Sequence, residues 1–170
     1  GKFGGPGRKA DPCPYANLIS LRMLSDCGLA GDHSARGARD LHWPPAGTED
    51  DRAAAESAAR KGIAQLLDFW DVRKEKKLRM FGIGTDFAKV KYPMIWYDIV
   101  HVVDVLSHFE RARTDPRFAE ITELLLGSTG RGEVKPASVW MAFKGFEFSQ
   151  KRAPSPMLTL TIERIRRRLS

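Results

Sequence analysis

The feature that most constrains this fold is the placement of proline. Pro14, Pro93, Pro116 and Pro156 each stand at the head of an apolar-rich segment. Proline has no backbone N–H and a fixed φ, so the first turn of a helix accepts it while helix interiors and sheet ladders do not. Four segments opened in this way predict an all-α chain. Behind Pro14, residues 15–25 carry Leu18, Ile19, Leu21 and Leu24. Behind Pro93, an Ile, Val and Leu-rich run predicts a helix reaching Phe109. Asp115-Pro116 reads as cap plus first residue, followed by Phe118, Ile121, Leu124 and Leu125, with Gly127 as the stop. Ser155-Pro156 repeats the device, and Leu158, Ile162, Ile165 and Leu169 fall on one helical stripe.

Residues 48–71 form the longest predicted helix. Thr48 and Asp51 fit a capping box, the first turn is acidic, and Ala55, Ala59, Ile63, Leu66, Leu67 and Trp70 make the buried stripe. A shorter helix is expected from Pro136 to about Lys144, and residues 28–47 read as a long variable loop. That gives about six helices and almost no strand. The apolar run from Met94 to Leu106 is long enough to favour a buried helix over a strand. Three openings also resemble one another, at Asp11-Pro12-Cys13-Pro14-Tyr15, Val90-Lys91-Tyr92-Pro93-Met94 and Ala153-Pro154-Ser155-Pro156-Met157. Each interval leaves room for one or two more helices, as in an array of αα-hairpins.

With 170 residues, the chain reads as a single helical-repeat domain, residues 1–170, with one ordinary core. Hydrophobic residues at 42% and charged residues at 29% exclude disorder, and no apolar run is long enough to span a bilayer. Cys13 and Cys27 flank a predicted helix, so a disulfide between them is not expected, and a cytoplasmic location is. The net charge of +7 gathers in Arg73–Arg79 and Arg164–Arg168. Such clusters invite a nucleic-acid reading, but a cationic helix end that offsets the helix dipole explains them more simply.

Beyond periodicity, Lys91-Tyr92-Pro93-Met94-Ile95-Trp96-Tyr97-Asp98, then Val102-Val103-Asp104-Val105-Leu106-Ser107, Asp115-Pro116-Arg117 and the closing Pro154-Ser155-Pro156-Met157-Leu158-Thr159-Leu160 form a recognisable set. Over residues 1–15 and 78–169 the chain resembles the uncharacterised prenyltransferase/squalene-cyclase-repeat proteins of the terpenoid-cyclase α/α-toroid class. The resemblance implies a partial α/α toroid and a concave cavity for an isoprenoid or other apolar ligand. A complete toroid needs roughly twice the helices counted here. The chain opens on Gly, so it reads as the C-terminal part of a longer toroid, its inner face covered by a missing N-terminal half or by a homo-oligomer.

Several candidate sites follow. Protein prenyltransferases of this fold hold zinc through an Asp-x-Cys pair, which makes Asp11 and Cys13 candidate metal ligands. The partner histidine of that pattern is absent, with Met94 at the nearest place, and the plain alternative is a helix cap beside a small packed thiol. Tyr97, His101, Asp104 and His108 are spaced to share one helical face. His101 and Asp104 are therefore candidate acid–base residues, and Tyr97 a ligand contact; a polar face meeting water or a neighbouring hairpin is the alternative. Trp96 and Trp140 are candidate walls for an apolar ligand, although such aromatics often only pack helices together. Arg8 and Lys9, in the Gly4–Lys9 stretch, are candidate phosphate contacts, against a plain chain end. Asp68-Phe69-Trp70-Asp71 lacks the Asp-x-Asp-Asp pattern of squalene–hopene cyclases and reads as a charged helix end. Two functions remain open: an apolar-ligand protein of the toroid class, or a non-catalytic helical scaffold binding protein or nucleic acid through its basic helix ends.

Overall fold

A computed structural model describes residues 13–29, 48–73, 87–95, 97–139, 141–146 and 152–170. Among these residues the fold is all-α. Its helices are α1 (Pro14–Asp26), α2 (Glu49–Asp71), α3 (Ile99–Leu106), α4 (Glu110–Arg113), α5 (Pro116–Thr129) and α6 (Pro156–Leu169), with one 3-10 turn at Met141–Phe143. An isolated bridge between Lys91 and Ser138 is the nearest approach to a sheet among the described residues. None of their helices is long and apolar enough to cross a membrane.

The helix starts follow local chemistry. The Thr48 hydroxyl accepts from Asp51 N–H while the Asp51 carboxylate accepts from Thr48 N–H at 2.8 Å, a complete capping box for α2. Asp115 and Ser155 cap α5 and α6, each ahead of a proline at the first helical position. The α2 stripe expected from the sequence is buried throughout, joined by Gly62 and Phe69.

Three boundaries differ from expectation. Pro93 does not open a helix. It follows a cis bond to Tyr92, and α3 starts six residues later, where the Asp98 carboxylate accepts from His101 N–H at 3.0 Å. Nor does a helix run from Pro136. There Ala137 N–H and Ser138 N–H both donate to the Val90 carbonyl, at 2.8 and 3.3 Å, holding the segment extended beside residues 90–91. Gly127 also stays within α5, which stops at Gly130 with φ of 60°, a backbone setting that favours glycine.

The helices lie in two rows. In one, α3 sits between α1 and α6; in the other, α2 packs on α1 and α5 on α3, and the two also touch each other. Every residue of α3 is buried. The three similar sequence openings thus mark the three helices of one row, although the middle opening lies upstream of its helix. Along the α2–α5 seam, Trp70 Nε1 donates to Glu120 at 2.8 Å, and Arg117 spans Asp115, Asp68 and Asp71 at 2.8 to 3.0 Å. Asp68 and Asp71 therefore pin one helix end to another.

Candidate functional site

The polar centre of the molecule is Asp104 on α3, only 4% exposed. Its Oδ2 lies 2.7 Å from Arg22 Nη1 on α1, and its Oδ1 lies 2.8 Å from Arg168 Nη2 on α6. One carboxylate thus ties together all three helices of a row, near their C-terminal ends. Arg168 Nη1 also donates to the Asp104 main-chain carbonyl at 2.9 Å and to the Ser107 hydroxyl, while Arg113 Nη1 donates to the Ser107 carbonyl at 2.9 Å. At this helix end the Asp104 carbonyl, which also accepts from the Ser107 hydroxyl at 2.7 Å, and the Ser107 carbonyl are met by guanidiniums that offset the negative end of the helix.

Burial alone would push the Asp104 carboxyl up. Arg168 and Arg22 outweigh that effect and hold it below the usual carboxylate range. His108 stands at the rim of the cluster. Burial, reinforced by Arg168, pushes its imidazole down to about 4, so it is neutral at pH 7, and its Nε2 is buried with no hydrogen-bond partner. A second buried carboxyl, Asp98 at 1% exposure, caps α3 with one oxygen and leaves Oδ2 unpartnered. Burial pushes it up to about 7 against the opposing pull of Lys91, itself buried.

The structure redistributes the expected polar stripe. Helix α3 holds His101 and Asp104, but Tyr97 precedes the cap, because Asp98 and not Pro93 starts the helix, and His108 lies beyond the C-cap Ser107. Tyr97 is a core aromatic: its ring centroid is 5.3 Å from that of Phe87, which is 6.2 Å from that of Trp70. His101 is buried, and both carboxylate oxygens of its candidate partner Asp104 face guanidiniums. Cys13 and Cys27 are free at opposite ends of α1. Arg8, Lys9, Asp11, Trp96 and Trp140 lie outside the described residues, as do Lys74 to Arg79. Among the described residues no three His, Cys, Asp or Glu side chains converge as a metal-holding group.

Two positions were not singled out from sequence. Asp98 carried a usable signal, an aspartate directly ahead of the apolar helical run. Arg22 carried none, since its partner lies 82 positions away.

The basic clusters are partly absorbed by the fold. The Arg73 guanidinium sits 3.8 Å over the Trp70 ring and closes α2 through the Trp70 carbonyl. Arg166 pairs with Glu163 at 3.3 Å and Arg168 holds Asp104, whereas Arg164 and Arg167 are exposed and make no ion pair among the described residues. An open recess of about 660 Å³ lies beside α6, between it and the loop at residues 131–133. No protein-family model, curated protein or solved structure matches this chain.

Proposed function

We propose that this chain is a non-catalytic helical-hairpin scaffold, akin in architecture to the prenyltransferase/squalene-cyclase-repeat proteins, which presents a binding surface on rigidly tied helices. The observation that carries this reading is the double guanidinium pairing of Asp104. A general base needs a free lone pair, a pKa near the working pH and access to a ligand; Asp98, 1% exposed at the head of α3, lacks the last. Asp104 has both oxygens engaged and its pKa driven away from neutrality, so its part is to bind helices together. The experiment is a pair of unfolding and ligand series. The scaffold reading expects Asp104→Asn to lower the melting temperature clearly, and expects geranylgeraniol to leave it unchanged in the parent protein. A saturable rise with geranylgeraniol would displace this reading.

That outcome would favour a second reading, an apolar-ligand protein of the toroid class. It draws on Ile19 and Met23, one turn apart on α1 and exposed by 37% and 62%. In that case Met23→Glu abolishes the geranylgeraniol response.

A further inference from the structure

The outward face of α6 is built unlike its inward one. Leu158, Ile162 and Ile165 face the core with no exposure, and Leu169 is partly buried against it. At steps of three, four and three, Met157, Leu160, Arg164 and Arg167 occupy the opposite stripe, and all four are exposed. Met157 and Leu160 are 49% and 51% accessible, one turn apart at the start of the helix. The stripe is segregated along the axis, apolar in its first half and cationic in its second.

The open recess runs beside this stripe. It is lined from α6 by Thr159, Glu163 and Arg166 and from the facing loop by Arg131 and Glu133. Arg131 is exposed and, like Arg164 and Arg167, makes no ion pair among the described residues. The recess and the neighbouring α6 stripe together carry four guanidiniums against two carboxylates, with Arg164 and Arg167 on the stripe outside the recess lining and Glu163 already paired with Arg166.

We propose that this recess and the α6 stripe form a docking groove for an acidic, partly apolar peptide segment of a partner protein. The assignment rests on the scaffold reading above and names its partner by chemistry. Charge complementarity selects an acidic occupant: unpaired cations at a rim attract and orient a carboxylate-bearing chain. The apolar half selects a peptide with large aliphatic side chains, since Met157 and Leu160 offer area that polyanions cannot use. A bilayer fits the geometry less well. An interfacial helix buries one apolar stripe along its whole length, whereas here the apolar patch ends halfway and the cations continue on the same face.

The test is fluorescence anisotropy of the full chain with two labelled synthetic peptides, one of alternating leucine and glutamate and one with lysine replacing glutamate. Phosphatidylserine vesicles and a mixed-sequence DNA duplex serve as other anionic probes. Saturable, salt-sensitive binding of the glutamate peptide alone is expected. It should weaken on the order of ten-fold in Arg164→Glu/Arg167→Glu and again in Leu160→Asp. These positions are exposed, so circular dichroism should match the parent, with only a modest fall in melting temperature from the charge reversal at the α6 end, which separates lost binding from lost folding. Absence of glutamate-peptide binding, insensitivity to both variants, or tighter binding to vesicles or DNA through the same residues overturns the assignment. The scaffold reading survives any of those results as long as geranylgeraniol leaves the melting temperature unchanged.

Discussion

The guanidinium of Arg168 lies across the end of α3, with Nη2 2.8 Å from Asp104 Oδ1 and Nη1 2.9 Å from the main-chain carbonyl of the same residue. The side chain thus serves as ion-pair partner and helix cap at once, and Arg22 completes the clasp from α1.

Removing the carboxylate leaves two guanidiniums facing each other beside a buried helix end. Asp104→Ala is expected to cost about 3 kcal/mol, near the range for breaking a buried pair. In a double-mutant cycle, Arg168→Ala should cost less once the Asp104 carboxylate is gone, keeping only the loss of its bonds to the residue-104 carbonyl and Ser107, a coupling of about 1–3 kcal/mol in urea unfolding. Additive losses would mean the two residues act independently. Because the folded carboxyl is held below its ordinary value, this stabilisation is complete above about pH 4. It disappears as pH falls through the depressed value.

Two other groups make stability depend on pH in opposite senses over a shared window. His108 is pushed down to about 4, so between roughly pH 6.5 and 4 the unfolded chain binds the extra proton, and stability falls as pH is lowered. Asp98 is pushed up to about 7, so between about pH 4 and 7 the folded chain holds the extra proton, and stability falls as pH is raised. The parent protein should therefore show a shallow profile across this range. Urea midpoints of Asp98→Asn should climb with pH from 4 to 6.5, whereas those of His108→Gln should decline toward pH 7. Parallel profiles in the two variants would contradict these environments.

Arg117 joins three carboxylates along the α2–α5 seam from a partly exposed position. Surface pairs are individually weak, so Arg117→Ala should cost only about 1 kcal/mol, and less in high salt. Lysine should not restore the loss, because one ammonium cannot place a planar fork against Asp115 while reaching Asp68 and Asp71. Chemical denaturation at low and high ionic strength gives both numbers.

The helices were legible in the sequence wherever a local signal and a local cause coincide. Ser155-Pro156 with the Leu158, Ile162, Ile165 stripe is such a case, as is Thr48 with Asp51. Pro93 misleads because the same residue suits a first helical turn and a bend; the backbone takes the bend, and Asp98 supplies the cap. The start of the 136–144 segment misled for a non-local reason, since Ala137 and Ser138 N–H find the Val90 carbonyl far earlier in the chain, leaving helical geometry only in the 3-10 turn at Met141–Phe143. The role of Asp104 was out of reach in the same way. Spacing places it beside His101, but two arginines 82 and 64 positions away determine its chemistry. Periodicity reports which face is buried and is silent on which charges meet there.

Gly62 tests how tightly the first hairpin is closed. It is buried on α2, and a Cβ there would stand 3.3 Å from Leu21 Cδ2 on α1. Alanine brings about 1 kcal/mol of helix propensity over glycine. Against that, the Leu21 tip must move by a few tenths of an ångström in a packed interface. The two effects nearly cancel, so Gly62→Ala should change stability by less than about 1 kcal/mol in either direction. Gly62→Leu has no such balance: it drives a branched side chain into the α1 contact and should cost about 1–3 kcal/mol. The extra loss should shrink in Leu21→Ala, which opens room for it. If Gly62→Leu is neutral in the parent protein, α1 and α2 pack less closely than the Leu21 contact requires.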